Sequence, residues 1–278
     1  MADTPHPEIL DAVRRALAED IGGGDVTSQS CVPADRRAEG VFLVRQELVL
    51  AGTGVVPLIY NERGGVEELN ILHHDGERLE EGARIATVRG KARTLLECER
   101  VALNFLQRLS GVATIAHQFA EVVNGTGCKV LDTRKTTPGL RRLEKAAAAA
   151  GGITNHRIGL FDAMLIKNNH IEAAGGVRQA LGNAQRAGLP VEIEVRTIDE
   201  LHEALECGAT HLLLDNLSPQ QASEWTRVVN GRATVELSGG IDLDNVRSYA
   251  ETGADFVSSG AITHSAKAVD ISFRLHLL

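Results

Sequence analysis

The sequence predicts an α/β fold in which an N-terminal α+β region precedes a closed or nearly closed barrel of parallel strands. From about residue 112 onward, short apolar segments alternate with helical ones, and the last four apolar segments begin at residues 191, 211, 234 and 255. Short strands that are apolar on both faces and separated by helices are typical of a parallel sheet. Neither a GxGxxG nor a GxxxxGK(S/T) motif follows any of them, which disfavours the two common nucleotide-binding forms of such a sheet.

The N-terminal third begins with a helix and continues with strands. Pro7 opens the helix, its apolar residues recur at helical spacing, and glycines 22–24 end it. Residues 93–109 form a second helix, whose polar stripe includes Arg100. Between the two helices, strand-like segments separated by glycine or charged turns lie near residues 38–44, 48–54, 67–73 and 84–89.

The remainder of the chain supplies the predicted barrel. Its strand candidates are residues 129–133, 163–167, 191–195, 211–215, 234–238 and 255–259. Helical segments are expected at residues 199–207, 218–229 and 243–252, and the alanines 146–150 are expected to end a further helix. In a parallel barrel, the carboxyl ends of the strands and the loops after them form one mouth, where binding and catalytic residues collect.

Composition limits the classes of function. Hydrophobic residues make up 43% of the 278 residues but aromatic residues only 3%, so the core is expected to consist mainly of Leu, Val, Ile and Ala. A formal net charge of −8 argues against nonspecific nucleic-acid binding. No apolar run approaches the roughly 20 residues that a membrane helix needs, which predicts a soluble protein.

Cysteine usage predicts a reducing compartment. The four cysteines are scattered and form no CxxC pair, and the N-terminal residues do not resemble a secretory leader. We therefore expect free thiols and a cytoplasmic location. The cysteines are Cys31, Cys98, Cys128 and Cys207.

All six predicted strands end in residues with functional chemistry. Each of these residues taken alone is more often structural, since a lysine at a strand end is usually solvated and a Glu in VEIEV could face outward. Their joint occurrence at one predicted mouth favours a functional site. The residues are Arg134 and Lys135, Lys167, Glu194, Asp215, Ser238 with Gly239 and Gly240, and Ser259 with Gly260.

The charge at this mouth predicts the chemistry of the ligand. Arg134, Lys135, Arg157 and Lys167, with His156 alongside, would repel one another and be costly to desolvate unless a ligand carried several negative charges. The carboxylates of Glu194 and Asp215 are placed to hold ribose hydroxyls or a divalent cation such as Mg²⁺. The glycine turns after the last two strands lie where such barrels commonly bind phosphate through backbone N–H groups.

Several strings in this chain resemble one enzyme family over essentially its whole length, from GDVTS (24–28) to GAITHS (260–265). LDTRKTTPGLR (131–141) and NHRIGLFDAMLIKNNHI (155–171) are the specific strings, and VEIEV (191–195), LLLDN (212–216) and ELSGGI (236–241) follow in the expected order. The family is that of the quinolinate phosphoribosyltransferases, or carboxylating nicotinate-nucleotide pyrophosphorylases.

The resemblance implies both a fold and a reaction. It implies an open α+β sandwich over residues 1–111, joined by the tail from about 266 to 278, and an incomplete TIM-like parallel α/β barrel of about seven strands over 112–265. The implied reaction is a pentosyl transfer from 5-phosphoribosyl 1-diphosphate to quinolinate with Mg²⁺. Its products are nicotinate mononucleotide, diphosphate and CO₂, in de novo NAD biosynthesis.

The matching motifs also imply residue roles. Arg134, His156, Arg157 and Lys167 would hold quinolinate. Lys135, Glu194 and Asp215 would serve the phosphoribosyl substrate and its metal, the two carboxylates acting directly or through water or substrate. Thr133 and the turns Ser238–Gly239–Gly240 and Ser259–Gly260–Ala261 would complete the substrate site, and Lys135, Lys167, Glu194 and Asp215 would be catalytic. Arg100 would enter the active site of the partner in a homodimer or a higher oligomer.

Two departures and three alternatives accompany the resemblance. Asn168 follows Lys167 where the family commonly has an acidic residue, and Leu237 replaces a small residue, which we expect to be tolerated. The alternatives are a paralogue of the molybdenum-associated type with another substrate, a Schiff-base aldolase with Lys167 as nucleophile, and a noncatalytic anion-binding protein.

Overall fold

The structure, a computed structural model, describes residues 5–278. In chain order its helices are α1 (Pro7–Ile21), α2 (Val26–Cys31), α3 (Val55–Glu62), α4 (Ala92–Val123), α5 (Arg141–Ala150), α6 (Asn168–Ala174), α7 (Val177–Gln185), α8 (Ile198–Glu206), α9 (Pro219–Val229), α10 (Val246–Ala250) and α11 (Ala261–His264). Its strands are β1 (Arg37–Val44), β2 (Leu48–Val49), β3 (Glu68–Ile71), β4 (Arg78–Leu79), β5 (Arg84–Lys91), β6 (Lys129–Leu131), β7 (Met164–Ile166), β8 (Val191–Val195), β9 (His211–Asp215), β10 (Thr234–Ser238), β11 (Phe256–Ser258) and β12 (Ile271–Leu277).

The chain divides into two compact units. The first contains residues up to 117, 137–152 and 266–278, and the second contains residues 118–136 and 153–265. Compared with the expected boundaries at 111/112 and 265/266, residues 112–117 and the segment 137–152 belong to the first unit. The reason lies in α5, where the fully buried Glu144 accepts hydrogen bonds from Arg108 of α4 at 2.8 and 2.9 Å.

The first unit contains a four-stranded antiparallel sheet in the order β12-β1-β5-β3. The C-terminal strand β12 pairs with β1 from Ala38 opposite Leu277 to Val44 opposite Ile271. The rings of Phe42 and Phe273 meet across this pair at 4.8 Å between centroids, so the tail contributes to the core of this sheet.

Two sequence predictions in the first unit needed correction. The predicted strand 48–54 is a strand only at Leu48–Val49, because the Asp75 carboxylate accepts the N–H groups of Gly52 and Thr53 and so fixes a turn there. Helix α3 starts immediately afterwards, at Val55. It was not predicted, because its apolar and partly β-branched residues directly follow the predicted strand 48–54. The predicted helix 93–109 extends to Val123.

The second unit contains a six-stranded parallel sheet in the order β6-β11-β10-β9-β8-β7. All six predicted strands are confirmed to within two residues at either end, and α8, α9 and α10 match the predicted helices 199–207, 218–229 and 243–252. Helices α6, α7 and α11 were not predicted. Leu237 is buried within β10, where its side chain adds to the core.

The hydrogen bonds between strands do not close the parallel sheet into a ring. Across residues 5–278, β6 and β7 do not pair with each other, although Leu131 of β6 makes an isolated parallel bridge with Thr154. The structure therefore has six strands in this sheet, and a seventh position is reduced to one bridging residue. No helix in the described part of the chain is both long enough and apolar enough to span a membrane.

Candidate active site

The carboxyl ends of the parallel strands in the second unit surround one cavity of about 760 Å³, a size suited to small-molecule ligands. Of the residues predicted from sequence, Glu194 and Arg100 do not line it. Those that do are Thr133, Arg134, Lys135, His156, Arg157, Lys167, Asp215, Ser238, Gly239, Gly240, Ser259, Gly260 and Ala261. The two edge strands contribute to the same cavity, since Arg134 and Lys135 follow β6 and Lys167 follows β7.

One wall of the cavity carries a cluster of cations. Burial, and after it the nearby charge of Arg134, lowers the pKa of Arg157, as expected for cations placed close together and partly out of water. The loop after Arg157 is held in place by its own chain: Arg157 Nη1 donates to the Ala163 carbonyl at 3.0 Å, and the Asp162 carboxylate accepts the N–H groups of Ile158 and Gly159. An anionic ligand would relieve the repulsion.

His156 contacts two carboxylates that sequence analysis did not identify, the half-buried Glu192 and the buried Glu236. Its Nε2 lies 3.1 Å from Glu192 Oε2 and 3.3 Å from Glu236 Oε2. Burial alone lowers the pKa of His156, but the hydrogen bonds and charges of Glu192 and Glu236 raise it to about 9. Burial in turn raises the pKa of Glu192. The VEIEV and VELSG strings thus place these carboxylates inward, contrary to the simple reading of an outward-facing Glu.

The second ring nitrogen of His156 is also engaged. Arg157 N donates to His156 Nδ1 at 2.7 Å, a contact that only an unprotonated Nδ1 can accept. A pKa of about 9 would place protons on both ring nitrogens at neutral pH, and the contact from Arg157 N opposes a proton on Nδ1. The contact and the raised pKa agree that Nε2, which faces the two carboxylates, carries a proton. The pKa of His156 is therefore raised, and the proton that the ring carries lies on Nε2. Both ring nitrogens thus have partners within the protein, and the predicted contact of His156 with a ligand would exchange one of these bonds.

Glu194 lies beneath the cationic wall and has two cationic partners. Its carboxylate, on a side chain only 3% exposed, accepts from Lys167 Nζ at 2.9 Å and from Arg196 Nη2 at 3.1 Å. Each oxygen is thus matched to one cation. The arrangement suits a group that holds Lys167 in place, and it leaves direct metal coordination to other oxygens.

Asp215 ends β9 and is oriented by its neighbour. Asn216 Nδ2 donates to Asp215 Oδ2 at 2.6 Å, and Asn216 adopts the left-handed conformation with φ 57°. A side chain at Gly239, on the adjacent strand end, would collide with the Asn216 amide. Glycine at 239 therefore makes room for the residue that orients the Asp215 carboxylate.

The two predicted phosphate turns are braced against each other. The buried Ser259 hydroxyl donates to the Ile241 carbonyl at 2.6 Å and accepts from Ala261 N at 3.2 Å. Its hydrogen bonds are thus made within the protein, which indicates a supporting role for Ser259 itself. The flanking backbone and Gly240 remain beside the cavity.

Several cavity residues were missed by sequence analysis. Asp132 is fully buried and accepts the N–H of His156 at 2.8 Å, so it ties the loop before β7 to the end of β6. His264 lies at the end of α11 beside the 259–261 turn. Asp132 lies inside the predicted strand 129–133 and His264 inside the GAITHS string, and neither position distinguished it from a structural residue. Glu236 had no signal beyond the alternation of its strand.

Two predicted residues lie outside this picture. Arg100 is exposed on α4 in the first unit, and its predicted role requires a second subunit. Asn168 begins α6, where its side chain donates to Asn169 Oδ1 at 3.3 Å, while the N–H of Lys167 donates to His170 Nδ1 at 2.9 Å. The His170 contact therefore fixes the start of α6 without a carboxylate at position 168.

Comparisons with known proteins cover the whole of this architecture. Residues 25–110 match the family model described as quinolinate phosphoribosyl transferase, N-terminal domain, and residues 112–274 match the model of its C-terminal domain. The chain is 40% identical to the carboxylating nicotinate-nucleotide pyrophosphorylase of Mycobacterium leprae, over 99% of this chain and 100% of that protein. It is 37% identical to the decarboxylating quinolinate phosphoribosyltransferase 1b of Nicotiana tabacum, over 97% of this chain and 83% of that protein.

Solved structures agree with the sequence comparison. The nicotinate-nucleotide pyrophosphorylase of Francisella tularensis superposes with a TM-score of 0.94 at 38% identity, covering 99% of this chain and 98% of that one. NadC of Streptococcus pyogenes gives a TM-score of 0.93 at 36% identity, with complete coverage of both chains. The similarity therefore extends through both units of the fold.

Proposed function

This chain belongs to the quinolinate phosphoribosyltransferase family, and from that premise we propose how its cavity carries out the reaction. The enzyme transfers the phosphoribosyl group of 5-phosphoribosyl 1-diphosphate to quinolinate and releases CO₂, which gives nicotinate mononucleotide and diphosphate in NAD biosynthesis. The observation that carries the proposal is the convergence of Arg134, Lys135, Arg157 and Lys167 with two glycine turns around one cavity of about 760 Å³.

The quinolinate subsite is proposed at the cationic wall. Quinolinate carries two adjacent carboxylates, which match planar guanidinium groups and a compact ammonium group. Arg134, Arg157 and Lys167 supply these groups. His156, whose ring nitrogens are both engaged, supports the wall through Arg157 N and the two carboxylates.

The phosphoribosyl subsite is proposed on the opposite side of the cavity. The backbone of the turns at 238–240 and 259–261 receives the 5-phosphate, since small residues let N–H groups approach its oxygens. Asp215 faces the ribose, and Lys135, supported by Thr133 through a 3.1 Å bond to its N–H, faces the leaving diphosphate.

A magnesium ion fits one part of this donor set. Asp215 offers a cavity-lining carboxylate of the kind Mg²⁺ prefers, whereas both oxygens of Glu194 are matched to cations. We propose that Asp215, with the substrate phosphates, would hold the ion and that Glu194 acts on it indirectly through Lys167. When bound, the ion would neutralise charge on the diphosphate.

The reaction follows from this placement. The quinolinate nitrogen attacks C1′ of the ribose as the C1′–O bond to diphosphate breaks, and Lys135 stabilises the charge of the leaving group. The carboxylate at C2 then leaves as CO₂, its bonding electron pair stays on C2 beside the cationic ring nitrogen, and a proton from solvent completes the ring. Holding both anionic reactants in line provides an advantage of up to about 7–11 kcal/mol.

Three broader expectations belong to the same proposal. The sheet is proposed to curve as an incomplete barrel, which is supported by its edge strands β6 and β7 ending at one cavity. The protein is proposed to be a cytoplasmic homodimer in which Arg100, exposed on α4, enters the partner's site. Sedimentation at micromolar concentration tests the assembly: a monomer that is fully active would contradict it.

One assay tests the function directly. The purified chain is incubated with quinolinate, 5-phosphoribosyl 1-diphosphate and Mg²⁺, and diphosphate, CO₂ and nicotinate mononucleotide are each quantified. We expect equal amounts of all three. Diphosphate without CO₂ would indicate hydrolysis of the phosphoribosyl donor or transfer without decarboxylation, either of which would contradict the proposed reaction. No diphosphate with quinolinate, but release with another acceptor, would indicate the paralogue alternative, and binding without turnover would indicate an anion-binding protein.

A further inference from the structure

Two neighbouring strand ends carry groups that the proposed function assigns to opposite ends of one substrate. Strand β6 pairs in parallel with β11 through Leu131 and Ser258. The loop after β6 bears Lys135, assigned to the leaving diphosphate, and the turn after β11 bears Gly260, assigned to the 5-phosphate. Helix α11 begins directly after that turn.

A buried hydroxyl joins these two loops. Thr263 of α11 is fully buried, and its Oγ1 donates to the Lys135 carbonyl at 2.7 Å across 128 residues of sequence. The same oxygen lies 3.4 Å from the Gly260 carbonyl. Because Thr263 is fully buried, water is poorly placed to replace its hydroxyl as the donor to the Lys135 carbonyl when that hydroxyl is removed.

Gly260 leaves room for the side chain of Lys135. A methyl group at position 260 would lie 2.7 Å from Lys135 Cδ and 2.9 Å from His264 Cδ2. The aliphatic stem of Lys135 therefore lies directly beside Gly260, and any larger residue at position 260 would displace that stem. The Thr263 hydroxyl thus contacts the Lys135 backbone, and the absence of a side chain at Gly260 leaves room for the Lys135 stem.

We propose that Thr263 is a positioning residue, which together with Gly260 couples the 5-phosphate turn to Lys135 and fixes the separation of the two phosphate subsites. The inference rests on the proposed function and extends it to substrate selection. A sugar that bears both a 5-phosphate and a 1-diphosphate spans the coupled pair and binds with its anomeric carbon already placed. A ligand that bears only one of these groups occupies one subsite and changes the affinity of the other through the Thr263 contact.

Kinetics of matched threonine variants test the proposal. Thr263→Val keeps the shape and removes the hydroxyl, and Thr263→Ser keeps the hydroxyl. Thr252→Val is the control, since the Thr252 hydroxyl is also buried and donates at 2.7 Å, to the Tyr249 carbonyl, away from the cavity.

For Thr263→Val we expect KM for 5-phosphoribosyl 1-diphosphate to rise by about tenfold while KM for quinolinate stays within about twofold. Thr263→Ser should return the first KM to within about threefold of wild type, and Thr252→Val should leave both KM values unchanged. Equal shifts in both KM values, no shift in either, or no rescue by serine would overturn the proposal. If Thr263→Val fails to fold, Gly260→Ala provides the second route, with the same expected selectivity because its methyl displaces Lys135.

A binding measurement separates this inference from the proposed reaction. Diphosphate affinity is measured by calorimetry with and without saturating ribose 5-phosphate, in wild type and in Thr263→Val. Coupled subsites predict that ribose 5-phosphate changes diphosphate affinity by about fivefold or more in wild type, and that this change is lost in Thr263→Val. If ribose 5-phosphate changes diphosphate affinity equally in wild type and in Thr263→Val, the inference is refuted even when wild type is active. If wild type makes no nicotinate mononucleotide, the proposed function is refuted, and the calorimetry alone decides whether the subsites are coupled.

Discussion

The two sides of the cavity recognise anions by different physical means. The side formed by Arg134, Arg157 and Lys167 uses long charged side chains, and the groups that steady them are carboxylates: the buried Glu194 and Glu236 and the half-buried Glu192. The side formed after β10 and β11 uses backbone turns, which need little charge and depend on glycine. Charged side chains move and must be held by counter-ions, whereas a turn is fixed by its own dihedral angles. Substitutions on the two sides should therefore fail in different ways.

The cationic side should show the largest effect. Lys167→Ala removes one of the cations proposed to hold the quinolinate carboxylates, and it leaves the buried Glu194 with Arg196 as its remaining cationic partner. We expect kcat/KM for quinolinate to fall at least about a hundredfold, with the fold intact because the Lys167 side chain is half-exposed. Steady-state kinetics and circular dichroism provide the measurement. Turnover close to that of wild type in a folded variant would refute the role assigned to Lys167.

The turn side should respond to shape rather than charge. Gly239→Ala introduces a methyl group at φ 103° that collides with the Asn216 amide, and Asn216 orients Asp215. We expect KM for 5-phosphoribosyl 1-diphosphate to rise by about tenfold, together with a loss of stability of about 1–3 kcal/mol. Gly208→Ala is the matched control, since its φ of 78° is also left-handed, nothing lies within 4 Å of the added methyl and the residue does not line the cavity. If both variants lose the same affinity, the effect is backbone strain alone and the Asn216 contact is irrelevant.

A titration can sharpen the comparison at the carboxylate support. Glu236→Gln removes one of the two carboxylates that raise the pKa of His156 to about 9, so the midpoint of the His156 ring should fall, as followed by NMR between pH 6 and 10 (roughly the range that brackets ordinary and raised values). The pKa is higher in the folded than in the unfolded state. Because the shift is upward, its contribution to stability is present in full below the unfolded value near 6.5 and is lost as pH rises through the higher value of the folded state. An unchanged midpoint in Glu236→Gln would show that the carboxylate does not control the ring.

The sequence was informative about the two sides to different degrees. The six strands, and with them Arg134, Lys135, Lys167 and Asp215, were predictable because apolar runs between helices define strand ends. The partners of these side chains were not predictable. Which cation faces Glu194, or which carboxylates meet His156, depends on the register between neighbouring strands, for example Ile193 opposite Leu212. A linear pattern of apolar residues does not contain that register.

The smallest expected effect concerns Asn168, which stands beside Lys167 where the family commonly has an acidic residue. Asn168→Asp places a negative charge in the first turn of α6, where it interacts favourably with the helix dipole by about 0.3–1 kcal/mol. The start of α6 is already fixed by the His170 contact to Lys167 N, and the Lys167 ammonium is already paired with Glu194. We therefore expect a small gain in thermal midpoint and a change in kcat/KM of less than about threefold, within the range of a screened surface charge. Asn169→Asp, in the same turn, is the control for the dipole contribution. A change beyond tenfold in Asn168→Asp, but not in Asn169→Asp, would mean that the charge at position 168 acts on Lys167 directly, and that the cationic side is tuned by a residue outside the buried carboxylates.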